Sequence, residues 1–499
     1  MSFQVDALVQ DVSEILSIVQ SLKNSLAPIN RIPPEILSLI PDYFFDYGQA
    51  SVALTHVCRS WRELFISCSS LWTYLDLKDI DKTRTFIQRS KSSPLSVCAS
   101  NLYDDTYLEG ALSLVIPHIP RLESFIFYSD SIPTTLSDFH YHAPLLENLK
   151  IHISSPHAQT LNIPLLNGDP LSLRTLTLVG DTIRLPQKRM SSLRDFSLFC
   201  TPGAVTITQI LDFLESSPLL HTIYFTNSIP DSSDASSERI VHLPHLKTLT
   251  ISSDMVHYIF NHLHIPVGAS LIVCTALRGS TFPLLEHLSG TSPNIENLSH
   301  ITAVNLRFGS DGKYGTLSGP SGTFSLCGWW KSLTTPPTIM DDRILRSLGP
   351  RILSTTERLT ISDCMHQHPA DVEEWPIFRT LLSTNNLKTL VLSWCNSQPF
   401  ISALNPGKNL SGVMLCSNLK ELILFVESWG LTDDLVGMAK RRVLRGAKLS
   451  SIKIVSLDTP VPEMEVLELR EHVTQVECMV DNIPPCWEYL PDETGGRWG

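Results

Sequence analysis

The chain has 499 residues, 43% hydrophobic and 18% charged, the profile of a globular protein long enough to bury a large core. Its formal net charge of −12 argues against a general binder of nucleic acid or of anionic membrane surfaces. No apolar run reaches the roughly 18 residues that span a bilayer, and the N-terminus MSFQVDALVQ lacks the basic lead and cleavage site of a secretory signal.

The 11 cysteines are odd in number and form no C-x-x-C pair, which fits reduced thiols in the cytosol, the nucleus or both. In chain order, residues 1–28 come first. Val5, Leu8, Val12, Ile15, Val19, Leu22 and Leu26 alternate spacings of three and four, which predicts a helix with a heptad seam. Two uses of that seam are open: a short coiled coil for dimerisation or docking, or a helix packed on its own protein. Packing is the preferred use, because the seam covers only about three heptads. Pro28 ends the segment.

Residues 30–77 are the most informative stretch. Pro33-Pro34 opens an apolar helix through Ile36, Leu37 and Ile40, with Pro34 suited to a first helical position. A turn near Gly48 leads to a second helical run holding Val57, Cys58, Trp61, Leu64 and Phe65. Leu71-Trp72 closes the block, and Leu75 and Leu77 begin a strand. The run carries more apolar residues than one small helical core needs, and such an excess on a small block marks a surface covered by a partner. Ile32-Pro33-Pro34-Glu35-Ile36-Leu37, then Val57-Cys58-Arg59-Ser60-Trp61-Arg62, then Leu71-Trp72 together resemble an F-box. The resemblance implies docking onto the Skp-type adaptor of a cullin–RING (SCF-type) ubiquitin ligase. Ile32, Pro33, Ile36, Leu37, Val57, Cys58, Trp61, Leu64 and Trp72 would form that face or hold it in shape. Pro41 departs from a longer helix and predicts a stop or bend near Ile40.

Residues 79–93 read as a helix with Thr83, Phe86 and Ile87 on one face, and 94–98 as a strand. From there a unit Leu-x-x-Leu-x-Leu, with Ile and Phe substituting, repeats through residues 78–483. It runs as Leu122-Phe125-Phe127, Leu146-Leu149-Ile151, Leu173-Leu176-Leu178, Leu193-Phe196-Leu198, Leu220-Ile223-Phe225 and Leu246-Leu249-Ile251. After a gap it returns as Leu387-Leu390-Leu392, Leu419-Leu422-Leu424 and Leu449-Ile452-Ile454. Many spacings fall near the leucine-rich-repeat range of about 20–29 residues. Apolar helical patterns lie between copies, over 107–116, 206–216, 256–263, 341–348, 372–382 and 433–444. Strand alternating with helix predicts parallel strands joined by crossovers. The expected fold class is therefore α/β: a helical block followed by an irregular leucine-rich-repeat solenoid, with a glycine-rich β-hairpin insert over 267–338. Residues 466–480 suggest a last strand pair or cap, and 484–499 a polar tail.

Chemistry is hard to find in this chain. The glycine-rich insert misses the phosphate-cradling pattern, because Lys313 is followed by Tyr314 and the upstream glycine is lacking. The histidine pairs His140/His142, His262/His264 and His366/His368 lack cysteine or carboxylate at metal-module spacing. Lys440, Arg441, Arg442, Arg445 and Lys448 end a helix that starts with acids, which complements the helix dipole. No cofactor, no metal and no catalytic residue is expected. In a leucine-rich array the residues between the core positions face outward along the sheet. Tyr128, Lys150, His152, Tyr224 and Phe425 fall there and are the candidate contacts for a protein target. The expected role is a non-enzymatic substrate receptor joining an adaptor to a target protein, with no nucleic-acid or membrane partner. The rival is a repeat scaffold outside ubiquitin transfer, which Pro41 favours.

Overall fold

The computed structural model describes residues 2–40, 47–100, 105–130, 142–154, 172–180, 185–186, 188–200, 204–226, 239–252, 259–260, 262–276, 301–309, 312–319, 322–329, 354–362, 384–393, 397–406, 414–426, 432–456 and 460–480. The fold is α/β, with large, mostly parallel sheet ladders and helices. The chain divides into two compact units, 1–205 with 212–219, and 206–211 with 220–499.

The first unit begins with helix α1 (Ser2–Leu26). Contrary to the preferred reading of its seam, α1 is not packed on the protein: its apolar residues are exposed from Val5 to Leu26. After a 3₁₀ turn at Pro28–Arg31 come α2 (Pro34–Leu37), α3 (Tyr47–Leu54) and α4 (Arg59–Ser67). The helix expected to reach Ile40 stops at Leu37, ahead of Pro41. Ser38 turns back there, its hydroxyl donating to the Glu35 carbonyl at 2.7 Å.

Strand β1 (Tyr74–Asp76) follows, then α5 (Ile80–Ser90), whose Asp79 cap accepts from the Lys82 amide at 2.9 Å. Next come β2 (Leu95–Ser100), α6 (Asp105–Val115), β3 (Leu122–Ser129), β4 (Asn148–Ile153), β5 (Thr175–Val179) and β6 (Asp195–Phe199). β1 to β6 pair in sequence order, all parallel. Two columns of core residues run across these rungs in register: Leu75, Val97, Phe125, Leu149, Leu176 and Phe196, then Ala99, Phe127, Ile151, Leu178 and Leu198. All are buried. This is the physical content of the repeat: each strand alone shows a half-buried alternation, and stacking makes the buried half continuous.

A second regularity lies just ahead of the strands. Leu146 and Leu193 each close a backbone turn onto the carbonyl three residues back. The amides of Glu147, Arg174 and Arg194 then donate to the carbonyls of Glu123, Glu147 and Arg174 on the preceding rung. Both leucines are buried.

Helix α7 (Ile207–Glu215) opens with a reciprocal cap, Thr206 N–H to Gln209 Oε1 at 2.9 Å and Gln209 N–H to Thr206 Oγ1 at 3.2 Å. In the second unit β7 (Thr222–Thr226) pairs in parallel with β9 (Thr248–Ser252), β9 with β11 (Ser270–Ala276), and β11 with β14 (Gly322–Trp329). The short strands β8 (Val241–His242) and β10 (Leu263–His264) pair separately. Leu263 therefore lies in a strand, not in the helix expected over 256–263; residues 253–258 and 261 lie outside the described residues.

β12 (Ala303–Gly309), β13 (Gly312–Gly319) and β14 form an antiparallel meander in the glycine-rich stretch. Parallel pairing resumes from β12 through β15 (Arg358–Ser362), β16 (Thr389–Ser393), β17 (Glu421–Val426), β18 (Ser451–Ser456) and β19 (Gln475–Val480). Helices α8 (Gln398–Leu404), α9 (Thr432–Leu444) and α10 (Glu463–His472) lie between these strands in sequence. Residues 466–480 thus give one helix and one strand, not a strand pair. Glu463 and Glu465 at the start of α10 and Arg470 and His472 at its end match the helix dipole. The helices expected over 341–348 and 372–382 and the tail 484–499 lie outside the described residues.

Candidate functional site

Residues 28–40 and 47–77 form a small helical block around aromatic side chains. The Trp61 indole N–H on α4 donates to Asn30 Oδ1 at 2.6 Å, tying α4 to the 3₁₀ turn, and its ring meets Phe65 edge-on at 5.4 Å. Ser51 Oγ on α3 donates to the Leu71 carbonyl at 2.8 Å. The Arg62 guanidinium donates to the Thr55 carbonyl at 3.0 Å. Trp72 is 0% exposed, donates to the Phe65 carbonyl at 2.9 Å, and meets Phe86 of α5 edge-on at 4.9 Å. Arg89 covers its ring at 4.4 Å. Trp72 therefore joins the block to the first strand–helix unit of the ladder.

The residues expected at an adaptor face divide by burial. Leu37, Trp61 and Trp72 are buried, so they hold the block together and present no contact surface. Ile32, Cys58 and Leu64 are half-buried and Pro33 is exposed. Ile36 and Val57 stand out at 54% and 55% exposed. The structure adds Ile29, Leu39, Val52 and Ile66, exposed apolar side chains on the same block. A helical period over single short elements misses these, because which face is inward is set by the neighbouring elements. The exposed pair Arg59–Glu63, at 3.9 Å, contributes little beyond solubility.

A second cluster lies on the outward positions of β3 and β4. Tyr128 and His152 pair across the strands, with rings edge-on at 5.6 Å, and Lys150 Nζ sits 5.2 Å above the Tyr128 ring. His152 also lies 3.2 Å from the Ser154 hydroxyl. Burial, with the Lys150 charge adding to it against Asp130, pushes the His152 pKa below its ordinary 6.5. A cation, a phenol and a largely neutral imidazole side by side suit polar peptide recognition. Tyr224 and Phe425 belong to the second unit, half-buried on β7 and β17 and several rungs apart.

Sequence reasoning placed Arg442 in the basic run that ends a helix, and it does lie in the last turn of α9, but it is 0% exposed. It donates to the Leu415 carbonyl at 3.0 Å and to the Cys416 carbonyl at 2.7 Å. Burial lowers its pKa, and burial raises that of the neighbouring Cys416 thiol. Arg442 fastens α9 to the loop ahead of β17, a role with no signal in a run of cations.

His242 and His264 meet across β8 and β10 with ring centroids 4.8 Å apart, and His262 Nδ1 lies 2.9 Å from the Arg239 carbonyl. His140, His366 and His368 lie outside the described residues. Among the described residues no group of three or more His, Cys, Asp or Glu is placed to hold a metal, and no helix is long and apolar enough to cross a membrane. A cavity of about 480 Å³ beside α10 and β19 is lined by Val461, Val466, Leu467, Met479 and Val480 with Glu463 and Arg470. Pro460 and Cys478 complete the lining, and burial raises the pKa of the Cys478 thiol above its ordinary value. No protein-family model matches the chain, and no curated protein matches it either.

Proposed function

We propose that this chain is a substrate-recognition subunit of an SCF-type ubiquitin ligase, with residues 30–77 as the F-box and the strand–helix repeats as a leucine-rich-repeat solenoid. The observation that carries the reading is the exposed apolar set Ile29, Ile36, Leu39, Val52, Val57 and Ile66 on a block whose own core is already filled by Trp61, Phe65, Leu71 and Trp72. A small block that leaves this much apolar surface in water is built to be covered. In this reading the Skp-type adaptor covers it, and the outward face around Tyr128, Lys150 and His152 takes a target protein. The chain does no bond chemistry. It raises the effective concentration of target lysines near a bound ubiquitin-charged enzyme. The setting would be the cytosol or the nucleus.

A second reading is favoured by the one-turn length of α2, which gives the block less helical surface than the motif suggests. In it the block is a cap on a repeat scaffold outside ubiquitin transfer. Co-purification with a Skp-type adaptor separates the two. A stoichiometric complex with the wild type, lost in Ile36→Asp/Val57→Asp while circular dichroism is unchanged, supports the receptor reading. No complex with the wild type overturns it.

A further inference from the structure

Helix α1 is the longest helix among the described residues, and its apolar side is uncovered. Its 25 residues extend for about 37 Å. The seam side chains are 56–69% exposed across their range, from Val19 to Leu26. A monomer gains nothing from keeping that stripe in water.

The stripe has a register. Val5, Val12 and Val19 occupy one heptad position, a, and Leu8, Ile15 and Leu22 the other, d. No charge falls on either. Asp6 and Glu14 lie away from the seam, and Asp11 and Lys23 flank it. β-Branched residues at a with mostly leucine at d is the combination that favours two parallel strands. The pattern is also self-complementary: in a parallel pair each valine layer meets the same valine, and each leucine layer the same leucine. Val9, Leu16 and Ile18 widen the stripe and are exposed as well.

Fully burying one such side chain removes on the order of 60–120 Å². Scaled for partial exposure and for ten apolar side chains on each of two helices, a pair would bury on the order of 1,000 Å², the threshold for a specific interface. We infer that α1 is a parallel two-stranded coiled coil with α1 of a second copy of this chain, so that the protein is a homodimer whose two repeat arrays are tied at their N-termini. The inference does not depend on the adaptor reading. A seam of only about three heptads makes a reversible dimer, with a dissociation constant on the order of micromolar.

Sedimentation equilibrium of the full chain from about 1 to 50 μM tests it. The wild type should pass from monomer to dimer over that range. Val12→Lys, placing like charges against each other at the seam, should weaken association at least about 30-fold and lower the helical dichroism by no more than the 25 residues of α1 account for. Val12→Glu alone should do the same, and mixing the two variants should restore a dimer, because position 12 faces position 12 only in a parallel, in-register pair. A wild type that stays monomeric at 50 μM overturns the inference. So does a trimer or larger species, or a dimer that survives Val12→Lys. Restoration by Val12→Lys with Ile15→Glu or Leu22→Glu, but not with Val12→Glu, would show antiparallel helices, whose a positions face d positions, and overturn the parallel form.

Discussion

Trp72→Ala is the sharpest perturbation of the helical block. The indole is fully buried, and truncating a packed tryptophan to alanine costs about 3–5 kcal/mol for lost burial and the cavity left behind. The Phe65 carbonyl that accepts from Trp72 loses its partner, adding about 1–3 kcal/mol if water does not reach it. The edge contact with Phe86 is lost inside the first figure. A total of about 4–8 kcal/mol is comparable to the whole stability of many domains, so the region 51–90 should lose most of its protection from hydrogen exchange. Trp72→Phe keeps a ring in the site and drops the hydrogen bond, and should cost about 1–3 kcal/mol. Ile36→Asp and Val57→Asp stand on exposed positions and should change the unfolding free energy measured in urea by no more than about 0.5 kcal/mol. The surface pair should instead weaken adaptor binding about 100-fold, or about 2.7 kcal/mol. The reasoning fails if Trp72→Ala leaves exchange over 51–90 intact, or if the surface pair destabilises as much as Trp72→Phe.

Gly180 sits at φ +132°, and a methyl there would run into the Ile153 carbonyl oxygen, so Gly180→Ala should lower stability by at least about 1–3 kcal/mol in urea unfolding. Gly437, inside α9 with nothing near its missing Cβ, should respond oppositely, with Gly437→Ala gaining about 0.5–1 kcal/mol in the same assay. His118 and His152 are held below 6.5 by burial first and by Arg121 and Lys150 next, so the unfolded chain takes up protons before the folded one. Their contribution is complete above pH 6.5 and lost as pH falls through the depressed folded values; His152→Gln should flatten the fall in urea midpoint below that pH. Cys98 and Cys416 are raised from 9.0 by burial, so the unfolded thiols ionise first and stability should decline as pH rises above 9.0, less so in Cys416→Ala.

The ladder was legible wherever both core columns carry Leu, Ile or Phe. Leu149 with Ile151, Leu176 with Leu178 and Leu422 with Leu424 could be placed from spacing alone, because a parallel rung buries every second residue and the pattern needs no partner to be seen. Three rungs escaped the same template for local reasons. β11 begins after Gly268 and Ala269, β12 after Ile301 inside a glycine-rich stretch, and β15 after Thr356, a buried hydroxyl standing where a leucine was sought. Their first-column residues, Leu271, Val304 and Leu359, still lie in register with the neighbouring strands. A rung therefore tolerates a missing first leucine once its neighbours fix the register.

The candidate sites were less legible, and for a different reason. Composition gave the apolar excess of residues 30–77, but not which side chains are inward. Trp61 and Ile36 look equally like contact residues in the sequence, and they separate only when Asn30 accepts the Trp61 indole proton and leaves Ile36 in water. Arg442 is the converse. Its neighbours Arg441 and Arg445 are exposed as a basic run should be, yet one residue of rotation turns the Arg442 guanidinium inward onto the Leu415 and Cys416 carbonyls. Those carbonyls belong to the turn that leads into β17, so the helix between β17 and β18 is fastened back onto the start of its own preceding rung by a buried cation. Helical period says how residues share a face. It does not say which face the rest of the chain will claim, and in this protein that choice separates the residues that hold the structure from those left to meet a partner.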